Sequence, residues 1–114
     1  MVNNKDNGVL QSIIAHCERI ETKTLNVKKE TFLNNDDLIE IVCFNIFQIG
    51  ELVKKLSKNY TSNYQGVPWT KIAGMRDRIG HGYGTIDFSK VWATVKEDIK
   101  PLKEYCEKIL SENL

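Results

Sequence analysis

The stretch Arg76-Asp77-Arg78-Ile79-Gly80-His81-Gly82-Tyr83 gathers two guanidinium groups, a carboxylate, an imidazole and a phenol into eight residues. An imidazole gives and takes protons near neutral pH. A guanidinium offers a planar fork of donors that fits phosphate oxygens. Glycines at positions 80, 82 and 84 leave room for a backbone or a phosphate to come close. Together these groups are the minimum equipment for cleaving a phosphodiester without a metal. A plainer reading also stands: Arg76, Asp77 and Arg78 as solvated surface charges, and His81 as a cation at a helix end.

Other chemistries lack their residues. No glycine-rich loop leads into Lys-Ser or Lys-Thr, and no His-Glu-x-x-His or other metal-spaced histidine pair occurs. The second histidine, His16, lies beside an apolar stripe and reads as structural or exposed. A metal site would need carboxylates, and Asp36-Asp37 is better explained as acid favoured by a helix start. Neither a metal nor a cofactor is expected. The three cysteines, Cys17, Cys43 and Cys106, are odd in number and far apart in sequence. That suits buried thiols in a reducing compartment rather than a disulfide frame or a zinc site.

Elements must bring these groups together. At about 100° per residue, the five-position offset between Arg76 and His81 places them roughly 140° apart on a helix. Asp77 and His81, four positions apart, are neighbours. Arg76 and His81 therefore converge only if the helix unwinds at Gly80 or if the site forms between two chains.

Apolar residues at 9, 10, 13, 14, 17 and 20 mark one helix face. The segment from Lys28 to Asn34 suggests a short helical piece or a turn, and Asn35 or Asp36 can cap the next helix. That helix runs from Asp36 to about Lys58. Its first half is apolar almost all round (Leu38, Ile39, Ile41, Val42, Cys43, Phe44, Ile46, Phe47, Ile49) and needs cover from the other helices or from a second copy. Residues 59–69 read as a loop. Thr70 can cap a helix through Ile72, Met75 and Ile79, which the glycines should loosen or end near 80–84. Asp87 can cap a last helix whose stripe is Trp92, Val95, Ile99, Leu102, Cys106 and Ile109, with a kink at Pro101. Strand signals are absent. The sequence predicts an all-α antiparallel bundle of four to five helices in a single domain, residues 1–114.

The chain of 114 residues contains no apolar run near eighteen residues, so no membrane span is expected, and the N-terminus lacks a hydrophobic signal core, so a cytoplasmic location is expected. The net charge of +1 is unevenly spread. Residues 51–81 carry six Lys/Arg against two Asp/Glu, while the segments on either side are net acidic. A polyanion would be attracted to this middle third, which includes Lys54, Lys55 and Lys58. Those lysines also read simply as the solvated face of a helix.

Arg76, four residues, His81, one residue, Tyr83 resembles the Arg-x4-His-x-Tyr signature of HepT-like toxins in the HEPN superfamily. Neighbouring segments are similar to that family too: Ile49-Gly50-Glu51 through Lys54-Lys55-Leu56-Ser57, Val67-Pro68-Trp69, Gly74 to Arg78, and Val91-Trp92 leading to Asp98-Ile99-Lys100-Pro101-Leu102. The resemblance spans roughly residues 36–103. The chain departs from the pattern at Gly80 and Gly84, where relatives often carry bulky side chains.

The resemblance implies an HEPN-like bundle that forms a homodimer with both Arg/His motifs facing one cleft. It implies a metal-independent endoribonuclease toxin of a type II toxin–antitoxin system, whose partner is an MNT-type nucleotidyltransferase that neutralises it by AMPylation of Tyr83. In that scheme His81 is general acid or base, Arg76 stabilises phosphate charge, and Asp77 and Arg78 support them. Lys54, Lys55 and Lys58 guide the RNA. The alternative is a non-catalytic helical substrate-binding or regulatory partner of the nucleotidyltransferase, with Arg76 and His81 contacting the nucleotide.

Overall fold

The structure is a computed structural model that describes residues 4–58, 69–82 and 86–112; the side chains of Asn4, Thr70, Lys71, Asp77, Arg78 and residues 80–82 are not among the parts described. Among the described residues there are six helices and no strand: α1 (Asn4–Thr24), α2 (Lys29–Leu33), α3 (Asp36–Lys55), α4 (Trp69–Gly82), α5 (Phe88–Glu97) and α6 (Ile99–Glu112). The all-α expectation holds. The helix count exceeds the expected four to five because the short α2 counts as a helix and the C-terminal stripe is divided between α5 and α6.

The α1 stripe behaves as its spacing dictates: Val9, Leu10, Ile13, Cys17 and Ile20 are all buried. The helix ends where the Thr24 hydroxyl donates to the Ile20 carbonyl at 2.7 Å. Two residues on, Asn26 turns the chain with φ of 59°, a left-handed conformation that a short polar side chain tolerates. The short α2 buries Phe32, whose ring lies 4.9 Å from that of Trp92 on α5.

Of the two candidate caps for α3, Asn35 takes the role: its Oδ1 accepts the Leu38 N–H at 3.0 Å. The helix stops at Lys55, short of the expected Lys58, because Leu56 swings into an extended conformation and buries itself. There Ser57 donates from its N–H and its hydroxyl to the two carboxylate oxygens of Asp6, both at 3.3 Å. Farther along, His16 meets Asn45 at 2.8 Å. Asp6 with Ser57 and His16 with Asn45 run in opposite directions along the two helices, so α1 and α3 are antiparallel.

Helix α4 begins at Trp69, so Thr70 is its second residue rather than its cap; of the loop expected over 59–69, Trp69 is helical and residues 59–68 lie outside the described residues. The helix then continues through Gly80 to Gly82. Two glycines cost about 1 kcal/mol each relative to Ala. Burial of Trp69 and Ile72 and packing of Met75 and Ile79 against the core outweigh that. The helix ends at Gly82, within the 80–84 stretch where the glycines are expected to loosen or end it.

The kink expected at Pro101 is instead a break at Asp98. Pro101 has no N–H to give the Glu97 carbonyl and its ring crowds that carbonyl. Helix α5 therefore closes at Glu97, with Asp98 N–H on Thr94 O at 2.9 Å, and α6 restarts with Leu102 N–H on Asp98 O at 3.1 Å. Asp87 caps α5 as expected, accepting the Ser89 N–H at 2.9 Å. Beyond the α1–α3 pair, α3 packs on α4 and α1 on α6. The shared core includes Leu10, Ile13, Val42, Ile49, Trp92, Leu102, Cys106 and Ile109.

Candidate functional site

Helix α4 presents Arg76 to one turn of α3, and that turn shapes itself to receive it. Phe47, Gly50 and Glu51 recur three and four positions apart and so share a face. The Arg76 guanidinium carbon lies 4.8 Å from the centre of the Phe47 ring, a cation–π placement. The Arg76 Nε–H donates to Glu51 Oε1 as a charged pair. Gly50 lies beneath the stem, where a Cβ would run into the Cβ of Arg76 and come within 2.9 Å of its Cγ. The Arg76 side chain is 21 % exposed and that of Glu51 34 % exposed, so both are partly screened from water without being sealed off.

Below Arg76, its neighbour Met75 locks the helix to the core. The Thr94 hydroxyl lies 3.4 Å from the Met75 sulfur and also donates to the Lys90 carbonyl at 3.2 Å. A small apolar gap between Ile46, Ile49, Ile72, Met75, Ile99 and Leu102 lies in this layer. Arg76 is thus the polar edge of a packed seam rather than a loose surface charge.

Lys54 and Lys55 stand exposed in the last turn of α3, and Lys58 is exposed just beyond it. They continue C-terminally from Glu51, so the positive segment gathers at the end of α3 that meets Arg76. Cations there also suit the negative end of the helix dipole. At the opposite end of α3, Glu30, Asp36 and Asp37 line an open hollow of about 520 Å³ together with Thr31, Asn34 and Asn35. Its carboxylates would repel a polyanion, so the two ends of α3 differ in charge.

Among the expected site residues, Arg76, Lys54, Lys55 and Lys58 have described side chains. The side chains of Asp77, Arg78 and His81, and Tyr83 altogether, lie outside the described residues, as does Gly84. Backbone register still places His81 five positions after Arg76 on an unbroken helix, about 140° round the axis.

Sequence reasoning missed the partners of Arg76. Phe47 read only as part of an apolar run, and Glu51 as one of two acids in a basic segment. The available signal was the Ile49-Gly50-Glu51 segment, which already resembled the HepT-like pattern. The apolar circumference of α3 is only partly covered: Ile39, Val42, Cys43, Ile46 and Ile49 are buried, but Ile41 and Phe44 are 36 % and 57 % exposed.

A family model described as ribonuclease HepT-like matches residues 13–109, which takes in every helix except the first turns of α1 and the end of α6. The chain belongs to the HepT-like ribonuclease family. It is 35% identical over 103 residues to "Putative RNase MJ1216" of Methanocaldococcus jannaschii, covering 90% of this chain and 85% of that one. It is 34% identical over 100 residues to "Probable ribonuclease HepT" of Thermococcus cleftensis, covering 88% and 91%. No solved structure matches it. For a HepT-like chain, the seat around Arg76 holds a guanidinium, a group whose donors suit phosphate oxygens, on a scaffold whose relatives are named as ribonucleases. No helix among the described residues is long and apolar enough to cross a membrane.

Proposed function

We propose that this HepT-like chain is a metal-independent endoribonuclease toxin, with Arg76 of one copy and His81 of another acting in a cleft between two copies. The observation that carries the proposal is the held guanidinium of Arg76 on a helix that continues without a break past His81. On such a helix the two groups of one chain do not share a face. Two-fold pairing supplies the missing partner, because a symmetric interface presents every residue twice. The exposed Ile41 and Phe44 give a second copy an apolar surface to cover.

In this reading His81 acts as general base on the ribose 2′-OH or as general acid on the departing oxygen. Arg76 stabilises the charge that builds on the phosphate oxygens in the transition state. Asp77, four positions from His81, orients the imidazole. Arg78 with Lys54, Lys55 and Lys58 draws in the RNA backbone. A partner nucleotidyltransferase of the MNT type neutralises the toxin: the Tyr83 hydroxyl attacks the α-phosphorus of ATP, pyrophosphate leaves, and AMP stays on the phenol oxygen. The new phosphodiester brings negative charge and bulk to the cleft, which repels and blocks RNA.

The test is RNA cleavage by purified protein in excess EDTA, beside His81→Ala. Cleavage in EDTA that is lost in His81→Ala supports the proposal. Cleavage that requires added metal, or survives the substitution, contradicts it. Modification of Tyr83 without cleavage by the unmodified protein would instead favour a non-catalytic partner of the nucleotidyltransferase.

A further inference from the structure

We propose that Glu51 is a positioning residue for Arg76, orienting its guanidinium toward the scissile phosphate; the inference rests on the ribonuclease reading above. Three contacts from one turn of α3 restrict the arginine in sequence along its length. Gly50 admits the stem, the Phe47 ring supports the guanidinium, and the Glu51 carboxylate takes the Nε–H. The Nε–H is the donor nearest the stem, so a bond there sets the rotation of the fork while the two Nη groups are the ends that match phosphate oxygens in pairs.

The carboxylate is informative because it runs against the charge requirement. A site that needed only positive charge would gain nothing from an acid beside its arginine, since the acid weakens the field a phosphate meets. Glu51 is one of two acids in a segment with six bases, and it is joined to Arg76. Orientation gives it a role that charge does not: a reacting group held in one geometry contributes far more than the same group free to rotate. As a plain bridge between α3 and α4 the pair would add little, because partly exposed ion pairs contribute at most about 1 kcal/mol.

The experiment compares steady-state RNA cleavage and the 15N NMR signal of the Arg76 Nε–H in wild type, Glu51→Ala, Glu51→Gln and Phe47→Leu, with Arg76→Lys to assign the signal. Glu51→Ala should lower kcat about ten-fold or more with little change in KM, as expected when an interaction acts on the transition state. Glu51→Gln, whose amide oxygen can still accept the Nε–H, should restore most of kcat. The Nε–H signal should shift and exchange faster with solvent in Glu51→Ala and stay near its wild-type position in Glu51→Gln. Phe47→Leu keeps an apolar side chain of similar size and should give an intermediate loss. Wild-type kcat in Glu51→Ala, a rise in activity there, or an Nε–H signal unmoved by the substitution each overturns the proposal. Should wild-type protein cleave no RNA, the ribonuclease reading fails by itself, and the Nε–H signal still decides whether Glu51 orients Arg76.

Discussion

Gly50 and Arg76 are in direct contact across the α3–α4 seam, so closely that position 50 has no room for a side-chain carbon. Alanine is the better helix former by about 1 kcal/mol, which would favour Gly50→Ala on propensity alone. The obstruction is the Cβ of Arg76, with its backbone Cα only 3.3 Å away, so α4 itself would have to move. Overpacking of this kind typically costs about 1–3 kcal/mol. Gly50→Ala should therefore lower stability by up to about 2 kcal/mol net, read by urea denaturation, and should reduce RNA cleavage by more than that loss of folded protein explains. A stabilised variant with full activity would show that α4 does not rest on this contact.

Phe44 is 57 % exposed on a helix whose other large side chains are mostly buried. Phe44→Glu removes no core packing, so the helical signal and the unfolding midpoint should stay close to wild type. If a second copy covers this face, the variant should run as a monomer by light scattering where the wild type runs as a dimer, because two buried carboxylates would face each other across a two-fold axis. Equal masses for the two proteins would remove this face from the dimer interface.

The antiparallel α1–α3 pair carries a polar link inside its apolar seam. Asn45 is 4 % exposed; its Nδ2 donates to the Ile41 carbonyl at 2.8 Å and its Oδ1 accepts from His16 Nδ1 at 2.8 Å. His16→Ala strands that acceptor, which costs about 1–3 kcal/mol. A double-mutant cycle with Asn45→Ala should show a coupling of at least about 0.5 kcal/mol. Additive single effects would mean that His16 and Asn45 do not act as a pair.

All three cysteines are buried, and burial pushes their thiols up: Cys43 to about 11 and Cys106 to about 12, while Cys17 rises further, with Cys106 and Glu21 adding to the desolvation. An unfolded thiol ionises near about 8.5. The folded state therefore holds these protons more tightly, and their contribution to stability is intact below about pH 8.5 and declines as pH rises toward the folded values. The native protein should react slowly with a thiol reagent at pH 8, with all three thiols released in denaturant. Its unfolding free energy should fall between pH 8.5 and 10, and less steeply in Cys43→Ala. Rapid reaction of a native thiol would contradict the burial.

How much of this was legible in the sequence depended on the range of the interaction. Periodicity located α1, α3 and the C-terminal stripe, because burial on one face leaves a mark every three or four residues. Local capping chemistry was equally readable at Asn35 and Asp87. Boundaries set by competition were harder. Pro101 keeps the stripe in phase, yet its effect falls four residues upstream, at Glu97. The glycines at 80–84 were readable as a boundary, and α4 ends among them at Gly82. The Arg-x4-His-x-Tyr motif pointed to Arg76, but its seat was hidden: Phe47, Gly50 and Glu51 lie more than twenty residues away in sequence, and no local pattern announces a contact across that distance.

The division of one site between two chains has a direct test. Arg76→Ala and His81→Ala are each prepared as inactive homodimers, mixed in equal amounts, unfolded and refolded together, and assayed for RNA cleavage in EDTA. Random pairing makes half of the dimers mixed, and each mixed dimer keeps one of its two Arg76/His81 pairs wild type, so activity should return to about a quarter of wild type. A mixture as inactive as its two parents would mean that Arg76 and His81 do not meet across the interface, and would contradict the account.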